Sequence, residues 1–123
     1  MTSRSYGESE ELPGKYGWYL HNADTRSHPV GFKKPNDLGL FDLHGNGWCW
    51  CQERHKPYPP ASRGKFVDDT EGSLRIEPQG SRMVRGGSFG DPAAYVRSAY
   101  RSRLVPSLRN HVVGLRPART LAP

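Results

Sequence analysis

No stretch of this chain carries an apolar periodicity long enough for more than one or two helical turns, and glycine or proline interrupts almost every apolar run. With 14 Gly and 11 Pro, 25 of 123 residues are of these two types, against an ordinary share of about 12%. Such a chain cannot be built from long helices. It must be ordered by turns, short strands and aromatic anchors, because each glycine loses more backbone freedom on folding than other residues do. The 13 aromatic residues (3 Trp, 6 Tyr, 4 Phe) are therefore expected to carry much of the core.

Composition removes several classes of function. No run approaches the roughly 20 apolar residues of a membrane span, and "MTSRSYGESEELPG" lacks the apolar centre of a secretory signal. Two cysteines do not make a disulfide framework, so a cytoplasmic location is expected. The net charge of +6 permits an acidic partner. The excess lies in dispersed arginines (Arg82, Arg85, Arg97, Arg101, Arg103, Arg109, Arg116, Arg119) that alternate with apolar residues. That pattern is not a basic tract, and neither a nucleic-acid nor a membrane partner is expected.

Along the chain, residues 1–14 form a polar segment in which "SEEL" starts a helical turn and Pro13-Gly14 stops it. "KYGWYL" (15–20) reads as a short strand or aromatic anchor, and Val30 and Phe32 as a strand pair around Gly31. "LGLFDLHGNGWCWCQE" contains two apolar pieces split by a Gly45-Asn46-Gly47 turn. Residues 54–80 read as a polar loop with one weak strand at Leu74–Ile76. "RMVRGGSF" is a strand ending in Gly-Gly, "AYVRSAYRSRL" a helix or an irregular turn, and "VVGLRPART" a closing strand.

The Trp-Cys-Trp-Cys stretch invites a metal reading. In a strand Trp48 and Trp50 share one face and Cys49 and Cys51 the other. The cysteine Cα atoms would then lie about 6.6–6.8 Å apart, the outer limit of disulfide geometry. Zinc needs two further ligands, and His44 and His55 lack the usual spacing. Small, half-exposed thiols are the favoured reading. The Gly-Gly of "RGGSF" marks either a bulge against an aromatic ring or a turn lining a ligand, with Ser88, Asp91 and Arg101 as the ligand-lining candidates.

Four blocks in order, "YGWYLHNAD", "HPVGFKKPNDLGLFDLHGNGWCWCQE", "RMVRGGSF" and "VRSAYRSRLVPSLRNHVVGLRPAR", resemble the formylglycine-generating enzyme (sulfatase-modifying factor) family. The resemblance implies an α+β, C-type-lectin-like fold, loop-rich with short strands, in which residues 15–123 correspond to the C-terminal portion of the domain. The resemblance also exposes two departures. The family's catalytic enzymes carry two copper-binding cysteines just after Gly-Gly-Ser, whereas here Gly86-Gly87-Ser88-Phe89 is followed by "GDPAAYVRSA". Asp91 cannot replace a soft sulfur donor, and Cys49 and Cys51 belong to another block. The family's Gly-Asn-x-Trp-Glu-Trp calcium site keeps Asn46 but has Cys49 in place of the glutamate, which leaves a degenerate site.

The expectation is a non-catalytic binding or scaffold module, with no cofactor beyond a possible calcium ion. Its partners would be other domains or the rest of its own domain. The alternatives are a formylglycine-generating or related thiol or sulfoxide oxidase acting with the other half of its domain or with a partner domain, and a lectin-like ligand binder.

Overall fold

Chain order in the computed structural model runs α1 (Pro13–Tyr16), β1 (Gly17–Trp18), β2 (His44–Gly45), β3 (Trp48–Arg54), β4 (Arg82–Arg85), β5 (Arg101–Leu104) and β6 (Val113–Gly114). The structure describes residues 13–57 and 75–118. β1 and β2 form a small parallel pair, and the other four strands form one sheet in the order β5-β4-β3-β6.

Proline opens the single turn of α1, where its fixed φ suits the first helical position and its missing N–H costs nothing. Pro13-Gly14 thus lies in the helix rather than stopping it, and "SEEL" lies outside the described residues. The carbonyls that so short a helix leaves unpaired go to other partners. Lys34 N donates to Lys15 O at 2.9 Å, and Lys33 Nζ to Gly14 O at 2.6 Å. Asn22 then shapes the next segment: its Oδ1 accepts from Tyr19 N and its Nδ2 donates to Gly17 O. Of the predicted strand at 15–20, only Gly17–Trp18 pairs, with Gly17 opposite His44 and Trp18 opposite Gly45. Here the backbones approach so closely that a Cβ on Gly17 would lie 2.4 Å from His44 O, and one on Gly45 2.1 Å from Trp18 O.

β3 and β4 are the inner strands. Cys49 faces Arg85 and Trp50 faces Val84, and the register then shifts before Arg54 pairs with Arg82. In this bulge the buried Arg82 guanidinium donates to Gln52 O and to Arg75 O, supplying partners that the interrupted ladder does not. β5 pairs with β4 over four residues, Arg82↔Leu104 to Arg85↔Arg101. β6 lies parallel to β3, with Trp48 opposite Val113. The core consists of Met83, Val84, Phe89, Val96, Trp48 and Ala23, all buried.

Several expectations are corrected. Val30 lies in a turn and Phe32 in irregular chain, and both are 76% exposed, because no neighbouring strand offers a ladder there. The apolar piece 40–43 is not a strand. β3 runs on to Arg54, into the segment read as loop, and within 75–77 no strand forms; Leu74 lies outside the described residues. "AYVRSAYRSRL" is a run of turns followed by β5, whose Arg-Ser-Arg-Leu sequence has little strand character and takes its conformation from the β4 edge. The closing strand is only two residues long.

Trp48 is buried at the junction of β3, β6 and Tyr100, whereas Trp50 is only half-buried. Trp48→Ala should therefore cost about 3–5 kcal/mol and Trp50→Ala clearly less. Urea melts of the two variants beside the parent check this; equal losses would show that burial does not set the difference.

Candidate functional site

After β4 the chain turns through Gly86 and Gly87 at φ 95° and 75°, conformations that favour glycine. A Cβ on Gly87 would meet Val96 Cγ2 at 2.9 Å and Tyr95 O at 3.1 Å. The Gly-Gly pair therefore lets the segment around Val96 pack directly on the end of β4. Ser88, buried, comes next. Its N–H and Oγ both donate to Asp91 Oδ2, and its Oγ accepts from Gly90 N. Asp91 N donates back to Ser88 O, and Asp91 O accepts from Leu20 N at 3.0 Å. Two of the three ligand-lining candidates, Ser88 and Asp91, are thus brought together, with the Ser88 hydroxyl and one Asp91 carboxylate oxygen closing a turn.

The third candidate, Arg101, lies elsewhere, on β5 beside Arg85. Glu53, on the neighbouring β3, places Oε1 at 3.4 Å from Arg85 Nη2 and Oε2 at 3.7 Å from Arg101 Nη2. One carboxylate thus bridges two guanidiniums across three strands. At 11% side-chain exposure Arg101 is well enough shielded for this pairing to matter more than a surface ion pair would.

Asn46, in the left-handed region at φ 62°, uses both ends of its carboxamide on one residue. Oδ1 accepts from His28 N and Nδ2 donates to His28 O, each at 2.9 Å. Cys49, in the position of the family's calcium-ligating glutamate, offers sulfur, which is a poor donor to a hard cation. Nor does the turn after Gly87 fit copper: it contains no thiol, and the Asp91 oxygen that faces Ser88 is already engaged.

Burial pushes the thiols of Cys49 and Cys51 up from their ordinary value, opposed in part by Arg116 at Cys49 and by Arg85 at Cys51. They are therefore neutral thiols at pH 7 rather than primed nucleophiles. Among the described residues no group of three or more His, Cys, Asp or Glu side chains is placed to hold a metal ion.

Sequence reasoning missed a surface built by residues 95–104. Tyr95 and Tyr100 stack with centroids 4.6 Å apart, Tyr100 leans on Trp48 at 5.9 Å, and the Arg97 guanidinium lies 6.0 Å from the Tyr100 ring. The main chain beneath them is held by turns: Tyr95 N to Pro92 O, Val96 N to Ala93 O and Tyr100 N to Arg97 O. Val96 is buried while Tyr95, Arg97 and Arg103 are exposed. The available signal was the density of Tyr, Arg and Ser in "YVRSAYRSR". A second feature is an open groove of about 680 Å³ between residues 30–49 and 111–117, rimmed by Val30, Leu40, Phe41 and Leu115.

The two sheets, the glycine-serine turn and the loop-built surface define a C-type-lectin-like domain of the formylglycine-generating type. The Sulfatase-modifying factor enzyme 1-like domain matches residues 3–121, and the chain belongs to that family. Treponema denticola variable protein 1 superposes with a TM-score of 0.78 at 29% identity, over 94% of this chain and 40% of its own. PvdO from Pseudomonas aeruginosa gives 0.59 at 25% identity, over 83% and 38%. CarF gives 0.58 at 19% identity, over 93% and 36%, and supports the fold alone. A chaperone protein, LppX of Paenibacillus barcinonensis, is 37% identical over 51 residues, 39% of this chain and 18% of that protein. This chain thus spans 36–40% of the solved relatives' length. No helix among the described residues is long and apolar enough to cross a membrane.

The carboxamide of Asn46 is doing the work of a hydrogen-bonded staple. Asn46→Ala should cost about 2–3 kcal/mol, since it leaves two part-buried main-chain groups of His28 unpaired. Millimolar calcium should leave the melting temperature of the parent unchanged. Differential scanning fluorimetry checks both, and a calcium-induced rise that Asn46→Ala abolishes would show that the site binds the ion after all.

Proposed function

We propose that the chain is a non-catalytic binding module of its family and that it presents the Tyr95–Arg97–Tyr100–Arg103 surface to an acidic protein partner. The observation that carries this reading is the turn after Gly87. Where the family's oxidases hold copper, this chain has a Ser88–Asp91 hydrogen-bonded closure and then a series of outward side chains.

The surface has the properties of a recognition face. Its backbone is fixed by turns, by buried Val96 and by the β4–β5 ladder, so little main-chain entropy remains to be lost on binding. Tyrosine and arginine supply large contact area and directional hydrogen bonds at modest side-chain cost, and serine supplies adaptable ones. No Asp or Glu occurs from Pro92 to the C-terminus, whereas that stretch holds Arg97, Arg101, Arg103, Arg109, Arg116 and Arg119. The unbalanced positive charge selects for acidic ligands and against basic ones. The Treponema relative is described as a variable protein and the Paenibacillus one as a chaperone protein, and ligand recognition at side chains on a fixed frame is compatible with both. The uncovered part of a longer domain, or a neighbouring domain, is the natural occupant of the apolar groove rim.

Two outcomes are expected. Incubation with copper, reductant, oxygen and a Cys-x-Pro-x-Arg peptide should yield no formylglycine by mass spectrometry; conversion above a no-protein control would restore the enzyme reading. Peptide-library selection against the chain should return acidic sequences whose binding weakens about tenfold with Tyr95→Ala or Arg97→Glu and falls with added salt. Selected peptides that bind both variants undiminished would place recognition on another face.

A further inference from the structure

We propose that the cavity beside Trp50 is an anchor pocket for one large apolar side chain of the acidic partner. The pocket rests on the reading of residues 95–104 as a recognition face and adds what the partner carries besides negative charge. Trp48 and Trp50 alternate with Cys49 on β3 and so share one side of the sheet. Trp50 lies opposite Val84, and Val84 opposite Ser102, which extends that side across β4 to β5. Tyr100, at the head of β5, lies against Trp48 at 5.9 Å and stacks on Tyr95 at 4.6 Å. Trp50, two residues further along β3, keeps part of its side chain exposed. Among the described residues it borders, with Gln52, Ile76, Arg82 and Pro106, a cavity of about 380 Å³. The tyrosine pair, Trp48 and the cavity therefore form a continuous row on one side of the sheet.

The walls of the cavity select what enters it. Trp50 and Pro106 offer rigid apolar surface, and Ile76 stands 67% exposed at the edge, so covering them removes apolar area from water. Arg82 is the one charged residue of the wall, and both its terminal nitrogens already donate to main chain, at Gln52 O and Arg75 O. A carboxylate placed there would lose water without gaining an uncommitted guanidinium, whereas an apolar group loses nothing. A cavity of this size is at the low end for ligand sites, roughly 300–1,000 Å³, and suits one bulky side chain. At the other end of the row the requirement reverses. The exposed Arg97 guanidinium lies 6.0 Å from the Tyr100 ring and calls for an acid. Trp48 and Trp50 are about 6.7 Å apart along the strand, so Arg97 and the cavity are separated by about five residues of extended peptide. The partner segment therefore carries its acidic residues about five positions from a large apolar anchor, a buried anchor with charge at the rim.

The experiment uses the whole chain and two amidated peptides, acetyl-Glu-Glu-Ser-Ser-Ser-Ser-Phe and acetyl-Phe-Ser-Ser-Ser-Ser-Glu-Glu, one for each direction in which a bound backbone can run. Isothermal titration calorimetry gives affinity, and the tryptophan indole N–H signals in nitrogen-15 NMR give location. One of the peptides is expected to bind and to move the Trp50 signal. Alanine or glutamate in place of its phenylalanine should weaken binding about tenfold or more. Ile76→Ser changes an exposed side chain, so the variant should fold; it should weaken the phenylalanine peptide by a similar factor and leave the alanine peptide unchanged. Tyr95→Ala and Arg97→Glu separate the two readings. If they weaken binding while Ile76→Ser and the alanine peptide do not, the recognition face stands and the pocket is overturned. If Ile76→Ser weakens binding and they do not, the cavity binds apolar groups and its link to the recognition face is overturned. Equal binding of the glutamate peptide, or binding of neither phenylalanine peptide, also overturns the pocket, and the acidic sequences selected from the library then judge the recognition face alone.

Discussion

Most of this fold depends on one tight turn, Gly45-Asn46-Gly47, and on the hydrogen bonds that radiate from it. Gly45 N donates to Gly86 O, Asn46 N to Trp18 O, and Phe89 N to Asn46 O. The Asn46 carboxamide binds the main chain of His28 in both directions, and Trp48, the first residue after the turn, donates through its N–H to Val112 O. Five segments distant in sequence thereby meet at three or four residues. In a chain poor in ladders this turn supplies the long-range order that a larger sheet would supply elsewhere. It also requires its glycine: Gly45 sits at φ 72° with Trp18 O where a Cβ would be.

The charged groups of the sheet serve two purposes that look alike in the sequence. Arg82 is buried and feeds the carbonyls of a bulge, and Arg85 and Arg101 share Glu53. Those arginines are structural, since each is tied to a carbonyl or carboxylate within the fold. Arg97 and Arg103 project outward from a backbone that other residues hold in place, so their charge is available to a partner. The positive excess of the chain is thus partly internal and partly presented.

The scaffold of the sulfatase-modifying type is retained down to the Gly-Gly-Ser turn, and in that turn Ser88 and Asp91 are hydrogen-bonded to each other. The two thiols that remain sit in β3, held neutral by burial.

The sequence by itself determined the class of the fold and one of its anchors, Trp48, while Trp50, expected beside it in the core, is only half-buried. The glycine and proline load excluded long helices, and four ordered blocks matched one family over nearly the whole chain. The alternation of Trp48 and Trp50 against Cys49 and Cys51 also predicted which side chains share a face. Tertiary structure alone decided the rest. β5 has no strand signal and exists because β4 offers a free edge; Val30 and Phe32 have one and form no strand because no edge is near. Local sequence carries propensity, but strand pairing is an interaction with a partner distant in the chain. For the same reason Ser88 and Asp91 could be picked out as polar residues after a turn, while their closure on each other, the separation of Arg101 from them and the stacking of Tyr95 on Tyr100 depend on distances that only the folded chain creates.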